Sequence, residues 1–257
     1  MCELYGFSAH NNQIINENLR TFYSHSNMHP HGWGLAYLFD DEICIEKEAI
    51  QATKSHYLSD LLSLPIKTSV ALAHIRFATV GNIYRKNCHP YSKRDNYQRR
   101  WTFIHNGTIF DYKPLNKYIE IQHGETDSER ILLYLIDKIN DAQTKLKRHL
   151  TFEERFSLID TIIVDMSKGN KLNLIFFDGE YMYVHTNCKN SLHFYQNSSS
   201  ITFSTQPLNR HNWENVKFTT LLVVKDGEFV AEGTNHGNEY IEDEDAYKSL
   251  FLNFSNL

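Results

Sequence analysis

Cys2 stands directly behind the initiator methionine, in Met1-Cys2-Glu3-Leu4-Tyr5-Gly6-Phe7, and opens an apolar, strand-like run. Removal of Met1 would leave it carrying both a thiol and a free α-amine. The ionised thiol is a strong nucleophile, and an α-amine with a pKa near ~8 can act as its base. One residue would then supply nucleophile and proton acceptor, with no separate histidine. The competing reading is a buried first-strand cysteine with no chemistry, and position alone favours it. Later segments decide between the two.

Three of those segments place polar groups at the ends of apolar runs. Arg76 follows the apolar run Val70 to Ile75. A guanidinium at the end of a buried strand needs an anion, either an internal carboxylate or a substrate carboxylate seated bidentately. Asn106-Gly107 closes the strand-like Trp101 to His105. Asn-Gly is a strong hairpin signal, yet the Asn106 amide and the Gly107 N–H could equally be two donors of an oxyanion hole. Asp127 sits in the first turn of a helix opened by Thr126, with Glu129 at capping-box spacing. There it suits the helix dipole, and it could equally hold a substrate ammonium. His29 and His31 lack the carboxylate or cysteine neighbours that would complete a metal set, so they read as a polar loop and no metal is assigned.

The elements that must position these groups alternate in texture. Asn12 to Tyr23 has near-helical apolar spacing and reads as a short surface helix. Gly32-Trp33-Gly34 gives a tight entry into the buried strand Leu35 to Phe39, which turns at Asp40-Asp41 into Ile43 to Ile45. Tyr57 to Leu64 is a helix stopped by Pro65. Residues 82 to 100 read as a polar loop holding Cys88-His89-Pro90-Tyr91. Its arginines and lysines form a solvated face rather than a nucleic-acid site. Helices from Thr126 and from Thr151 to about Met166 follow one another. After Leu172 the pattern is strands alone: Asn173 to Phe177, Tyr181 to His185, Leu192 to Gln196, Ile201 to Ser204, Phe218 to Lys225 and Glu228 to Ala231. Glu239 to Asp245 reads as a solvated acidic tail. Strands, two helices, then strands predict an α+β layered sandwich.

Composition bounds the function. With 41% hydrophobic and 22% charged residues, the 257-residue chain is ordinary for a globular protein that buries a core. A formal net charge of −5 argues against a nucleic-acid partner, and no apolar run is long enough for a membrane. Cys2, Cys44, Cys88 and Cys188 show no paired spacing, so they read as free thiols in a reducing compartment. The expectation is one soluble cytoplasmic domain over residues 1–257.

Cys2, His74-Ile75-Arg76-Phe77-Ala78-Thr79, His89-Pro90, His105-Asn106-Gly107 and Thr126-Asp127-Ser128-Glu129 occur in the order seen in class II glutamine amidotransferases. The chain resembles a stand-alone member of that N-terminal-nucleophile group. Gly32-Trp33-Gly34, Gly124 to Glu129 and Ser204-Thr205-Gln206-Pro207-Leu208 resemble the single-domain branch, which includes γ-glutamyl hydrolases of glutathione and ergothioneine metabolism. The resemblance covers nearly the whole chain and implies a four-layer αββα fold with two central antiparallel sheets. It further implies hydrolysis of a γ-glutamyl amide through a Cys2 thioester, with no cofactor. By the same resemblance, Arg76 takes the substrate α-carboxylate and Asp127 the α-ammonium, while Asn106 and Gly107 stabilise the oxyanion. Phe77, Thr79 and Val80 belong to the loop that closes over the substrate, and His89, Gly32 and Trp33 are supporting residues. Phe77-Ala78-Thr79-Val80-Gly81 departs from related synthetases, which often carry tryptophan and histidine there. Two alternatives stay open: a glutaminase subunit delivering ammonia to a synthetase partner, and an inactive γ-glutamyl-binding protein. A homo-oligomer is also compatible. The expected substrate is a γ-glutamyl amide larger than glutamine, with the 82 to 100 loop bordering its leaving group.

Overall fold

Strand alternation explains the architecture of the computed structural model, which describes residues 2–242. One sheet contains β1 (Glu3–Ile14), β2 (Trp33–Phe39), β3 (Glu42–Glu48), β4 (Lys67–Ile75), β9 (His193–Gln196), β10 (Ser200–Ser204) and β11 (Glu214–Asn215), in the order β11-β9-β10-β1-β4-β2-β3. The other contains β5 (Tyr91–Arg94), β6 (Arg100–Thr108), β7 (Lys171–Phe177), β8 (Met182–His185), β12 (Leu222–Lys225) and β13 (Glu228–Glu232), in the order β13-β12-β8-β7-β6-β5. The pairings in both sheets are antiparallel.

The sheets stack face to face. Leu4, Ala36, Leu72 and Phe203 of the first meet Ile104, Ile175, Val184 and Val224 of the second. The opposite faces are covered by helices. α1 (Asn16–Ser24) and α2 (His56–Ser63) lay Leu19, Phe22, Leu58 and Leu62 against Tyr5, Phe7 and Trp33. α3 (Asp127–Leu146) and α4 (Phe152–Met166) lay Ile131, Leu135, Ile159 and Ile163 against Trp101, Phe103, Leu174 and Phe176. The result is the expected αββα sandwich. Being covered on both faces, β1 and β7 are buried without interruption over Glu3 to Ala9 and Lys171 to Phe177, which is why their sequences do not alternate.

Side-chain parity then aims the functional strands. Leu4, Ile104 and Ile175 face the gap between the sheets. Cys2, Asn106 and Lys171 lie at even spacing from them, so all three face the same gap.

Four readings are corrected. Residues 12 to 14 prolong β1, and the helix starts only at Asn16. The Asn16 side chain donates to the Leu62 and Leu64 carbonyls and accepts from Ile66 N–H. The 82 to 100 segment is not all loop: Tyr91–Arg94 pairs with β6 as an edge strand. Asn106-Gly107 is no hairpin, because β6 continues in register opposite Asn173 and Leu172. A Cβ on Gly107 would overlap the Lys171 carbonyl oxygen, so this glycine marks a close strand approach rather than a turn. The acidic tail is held rather than free: Glu239 pairs with Lys189, and Glu242 with Lys171. Residues 243 to 245 of that tail lie outside the described residues. Both predicted helix caps are present. Thr151 and Glu154 form a full capping box, whereas Glu129 turns instead to the N–H groups of His123 and Gly124.

Candidate active site

Cys2 leads into β1 beside the end of β4, where the chain passes through Phe77. Its Sγ accepts from the Phe77 N–H at 3.2 Å and lies 3.3 Å from the Phe77 carbonyl, to which the thiol donates. Burial pushes the thiol pKa up, against the Phe77 N–H and the positive charges of Arg76 and Lys171. A thiol in this setting needs a base to become a nucleophile. Cys2 lines a cavity of about 680 Å³ together with Phe77 and Asn106.

One wall of the cavity is an ion cluster. Glu3, 2% exposed, receives His25 Nδ1 at 2.9 Å, His29 Nε2 at 3.1 Å and Gln206 Nε2 at 2.9 Å. Burial works to raise the Glu3 pKa, but the hydrogen bonds and charges of His25 and His29 outweigh it and hold the carboxyl low. The same contact with Glu3 raises His25. His29 is therefore a partner for Glu3. His31 braces the site differently, accepting from Ala78 N–H at 2.9 Å with its ring 5.0 Å from that of Phe77. Cys188 to Ser191 and Glu242 also line the cavity.

Arg76 is 3% exposed, and its guanidinium donates to the carbonyls of Val80, Gly81 and Asn82, each at 2.9 Å. Neither the internal carboxylate nor an open anion seat describes this state; the arginine ties down the loop that follows it. Glu125 secures the same loop by accepting from Asn82 N–H and from Asn87 Nδ2, both at 2.8 Å. Asp127, 5% exposed, accepts from Ile109 N–H at 2.8 Å and from Ser128 N–H at 2.9 Å. Thr79 and Val80 are half-buried in the tied loop. Among the described residues, the cavity lining includes none of Arg76, Thr79, Val80, Asp127 or Gly107, although Gly107 adjoins Asn106 on β6.

Of the three residues expected to support the site, Gly32 acts through its backbone and Trp33 and His89 through their side chains. Gly32, at φ +147°, presents its carbonyl to Arg76 N–H at 2.8 Å, and a Cβ there would meet Cys88 Sγ at 2.5 Å. Trp33 is wholly buried and donates from Nε1 to Glu48 at 3.1 Å. His89 is buried with its ring centroid 4.1 Å from that of His74 and 4.8 Å from that of Tyr91. Burial, followed by the neighbouring His74 and His105, pushes His89 well below the usual histidine range, so the ring is neutral. No residue from 82 to 100 is among the described lining, so that loop does not border the cavity as expected.

Sequence reasoning missed Glu3, Lys171, Cys188 and Glu242. The signal for Glu3 was available, as a carboxylate inside an otherwise apolar first strand. Lys171 likewise opens an apolar strand. Cys188 and Glu242 carry no local signature.

Comparison with known proteins gives the family and the fold. The family model described as glutamine amidotransferases class-II matches residues 1–198. The chain belongs to that family. A protein named "Putative glutamine amidotransferase YafJ" from Escherichia coli is 27% identical over 198 residues, covering 76% of this chain and 75% of its own length. An uncharacterized protein of Methanocaldococcus jannaschii is 26% identical over 257 residues, covering 90% of this chain and 71% of its own. Among solved structures, a protein described as a predicted glutamine amidotransferase from Pseudomonas aeruginosa superposes with a TM-score of 0.65 at 18% identity, over 90% of this chain and all of that one. Glutamine phosphoribosylpyrophosphate amidotransferase from B. subtilis does so at 0.66 and 16% identity, over 91% of this chain and 49% of that one. At these identities the two structures establish the fold alone, which is that of the N-terminal-nucleophile amidotransferases.

Proposed function

We propose that the protein hydrolyses γ-glutamyl amides through a thioester on Cys2 once Met1 has been removed. The observation that carries this is the Cys2 thiol, bracketed by the Phe77 N–H and C=O at the wall of a cavity that Asn106 also lines. The freed α-amine accepts the thiol proton, and the thiolate adds to the γ-carbonyl carbon. The Asn106 amide and the Gly107 N–H donate to the resulting oxyanion. The C–N bond breaks as the amine returns the proton to the leaving nitrogen. Water then cleaves the thioester, releasing glutamate and restoring the thiol. Arg76 and Asp127 take the α-carboxylate and α-ammonium; because neither lines the cavity here, this requires the Val80 to Asn82 loop to yield part of its hold on the guanidinium and Asp127 to turn from Ile109 or Ser128 N–H toward the cavity.

A cavity of about 680 Å³ holds more than glutamine, which supports a γ-glutamyl peptide or conjugate as substrate. The test is glutamate release from glutamine and from γ-glutamyl dipeptides, each with and without cell extract. Higher kcat/KM on the dipeptides is expected. Best activity on glutamine, raised further by a component of the extract, would instead favour an ammonia-delivering subunit. No release from any substrate would favour a γ-glutamyl-binding protein.

A further inference from the structure

We propose that Lys171 and Cys188 form an anion seat on the cavity, that the Glu242 carboxylate occupies it in the resting chain, and that the carboxylate of a γ-glutamyl peptide takes its place. The inference rests on the γ-glutamyl reading above and names what the far side of the substrate carries. β7 turns Lys171 into the gap between the sheets, and its side chain is 0% exposed. An ammonium so placed is strongly unfavourable without an anion. Glu242 supplies one, and it does so from outside both sheets and all four helices.

Glu242 is the last described residue of a strap that follows β13. The strap is fastened by Gly233 N–H to Leu221 O at 2.8 Å, His236 N–H to Thr219 O at 3.1 Å and Tyr240 N–H to Asn187 O at 2.7 Å. Asn187 Nδ2 adds a bond to Asn238 O at 3.2 Å. Glu242 follows these fastenings in the chain and contributes its side chain, not its backbone, to the contact with Lys171. It lines the same cavity as Cys2 and remains 31% exposed, whereas Lys171 behind it has no exposure. Lys171 Nζ and the Cys188 thiol, at 3.5 Å, donate to the same Glu242 oxygen. A peptide carboxylate carries the same charge and the same acceptor geometry. Exchanging one carboxylate for the other keeps the buried ammonium paired in both end states.

The experiment reads binding without turnover. On a Cys2→Ala background, calorimetry compares γ-glutamylglycine with γ-glutamylglycinamide, which lacks the second carboxylate. The acid should bind about fivefold tighter than the amide, the range of a charge-assisted contact that must displace a resident one. Adding Glu242→Gln removes the competing charge. Acid binding should then tighten about tenfold while amide binding moves less than about twofold. Lys171→Met with Glu242→Gln removes both charges of the pair and should bring the acid-to-amide ratio to about one. Thermal melts verify folding in each case. Equal shifts for acid and amide on Glu242→Gln, or a preference for the acid surviving the double substitution, would overturn the seat. A wild type that binds the acid through Lys171 yet releases no glutamate would support the seat and contradict the hydrolase reading.

Discussion

At the residue scale, burial and chemistry pull Cys2 in opposite directions. Desolvation raises its thiol pKa, so reactivity depends on a base within reach rather than on a preformed thiolate. Cys2→Ala should lower turnover by roughly a thousandfold or more with little change in melting temperature, because the half-buried position accepts a smaller side chain. Cys44, which stands opposite Tyr37 in the β2–β3 pair, should be replaceable by alanine with activity retained. Retained glutamate release by Cys2→Ala would end the nucleophile assignment. The Glu3–His25 pair titrates in a defined window. The raised His25 contributes fully below its ordinary 6.5, and that contribution is lost as pH rises through its elevated value. The lowered Glu3 contributes above its ordinary 4.5, and that contribution is lost as pH falls through its depressed value. His25→Gln should therefore cost about 1 kcal/mol, or a melting shift of about 2–4 °C, near pH 6, and clearly less at pH 8. Melts of both proteins at the two pH values check this; an equal shift at both would exclude the charge pairing.

Elements decide whether the loop after β4 is held. Arg76 binds three successive carbonyls through a planar fork that a lysine ammonium cannot reproduce. Arg76→Lys should raise KM for glutamine about tenfold and speed tryptic cleavage after Arg85 or Lys86, just beyond the held turn. An unchanged cleavage rate with a raised KM would mean that Arg76 serves the substrate alone. Gly107→Ala tests the β6–β7 contact: a Cβ there would overlap the Lys171 carbonyl, so a loss of about 3 kcal/mol is expected in denaturant melts. Strands such as β2, β4 and β7 could be read from their apolar runs, because burial on both faces leaves that mark. Asn106-Gly107 could not be read locally. The same dipeptide serves a hairpin or a crowded strand, and the crowding comes from Lys171, 64 residues later in the chain.

On the scale of the whole molecule, two sheets must meet so that strand ends far apart in sequence share one cavity. Which face each side chain takes follows from alternation along a strand. Which strand ends coincide depends on packing, so Glu3 with Gln206, or Lys171 with Glu242, could not be anticipated from the chain. Asp178 shows the same gap. Lying between β7 and β8, it also anchors α4 to the second sheet, accepting from Arg155 Nε at 2.9 Å and from the Tyr183 hydroxyl at 3.1 Å. Arg155 is 3% exposed and Asp178 not at all. Arg155→Met removes the closer of the two cations on this buried carboxylate and leaves it Arg99 at 3.5 Å, so it should cost about 2–3 kcal/mol. KM of the remaining folded enzyme should be unchanged, since the pair is remote from the cavity lining. Equilibrium unfolding alongside steady-state kinetics checks both halves. Among the described residues, no helix is long and apolar enough to cross a membrane, and the apolar helix faces are used against the sheets.

The proposed chemistry requires a Cys2 with a free amine. Intact-mass spectrometry before and after exposure to a glutamine-like electrophile, followed by peptide mapping, tests it most directly. The predicted result is a protein lacking Met1 that gains one adduct, on Cys2, with loss of activity in proportion. Full activity in protein that retains Met1, or an inactivating adduct on Cys44, Cys88 or Cys188, would contradict it.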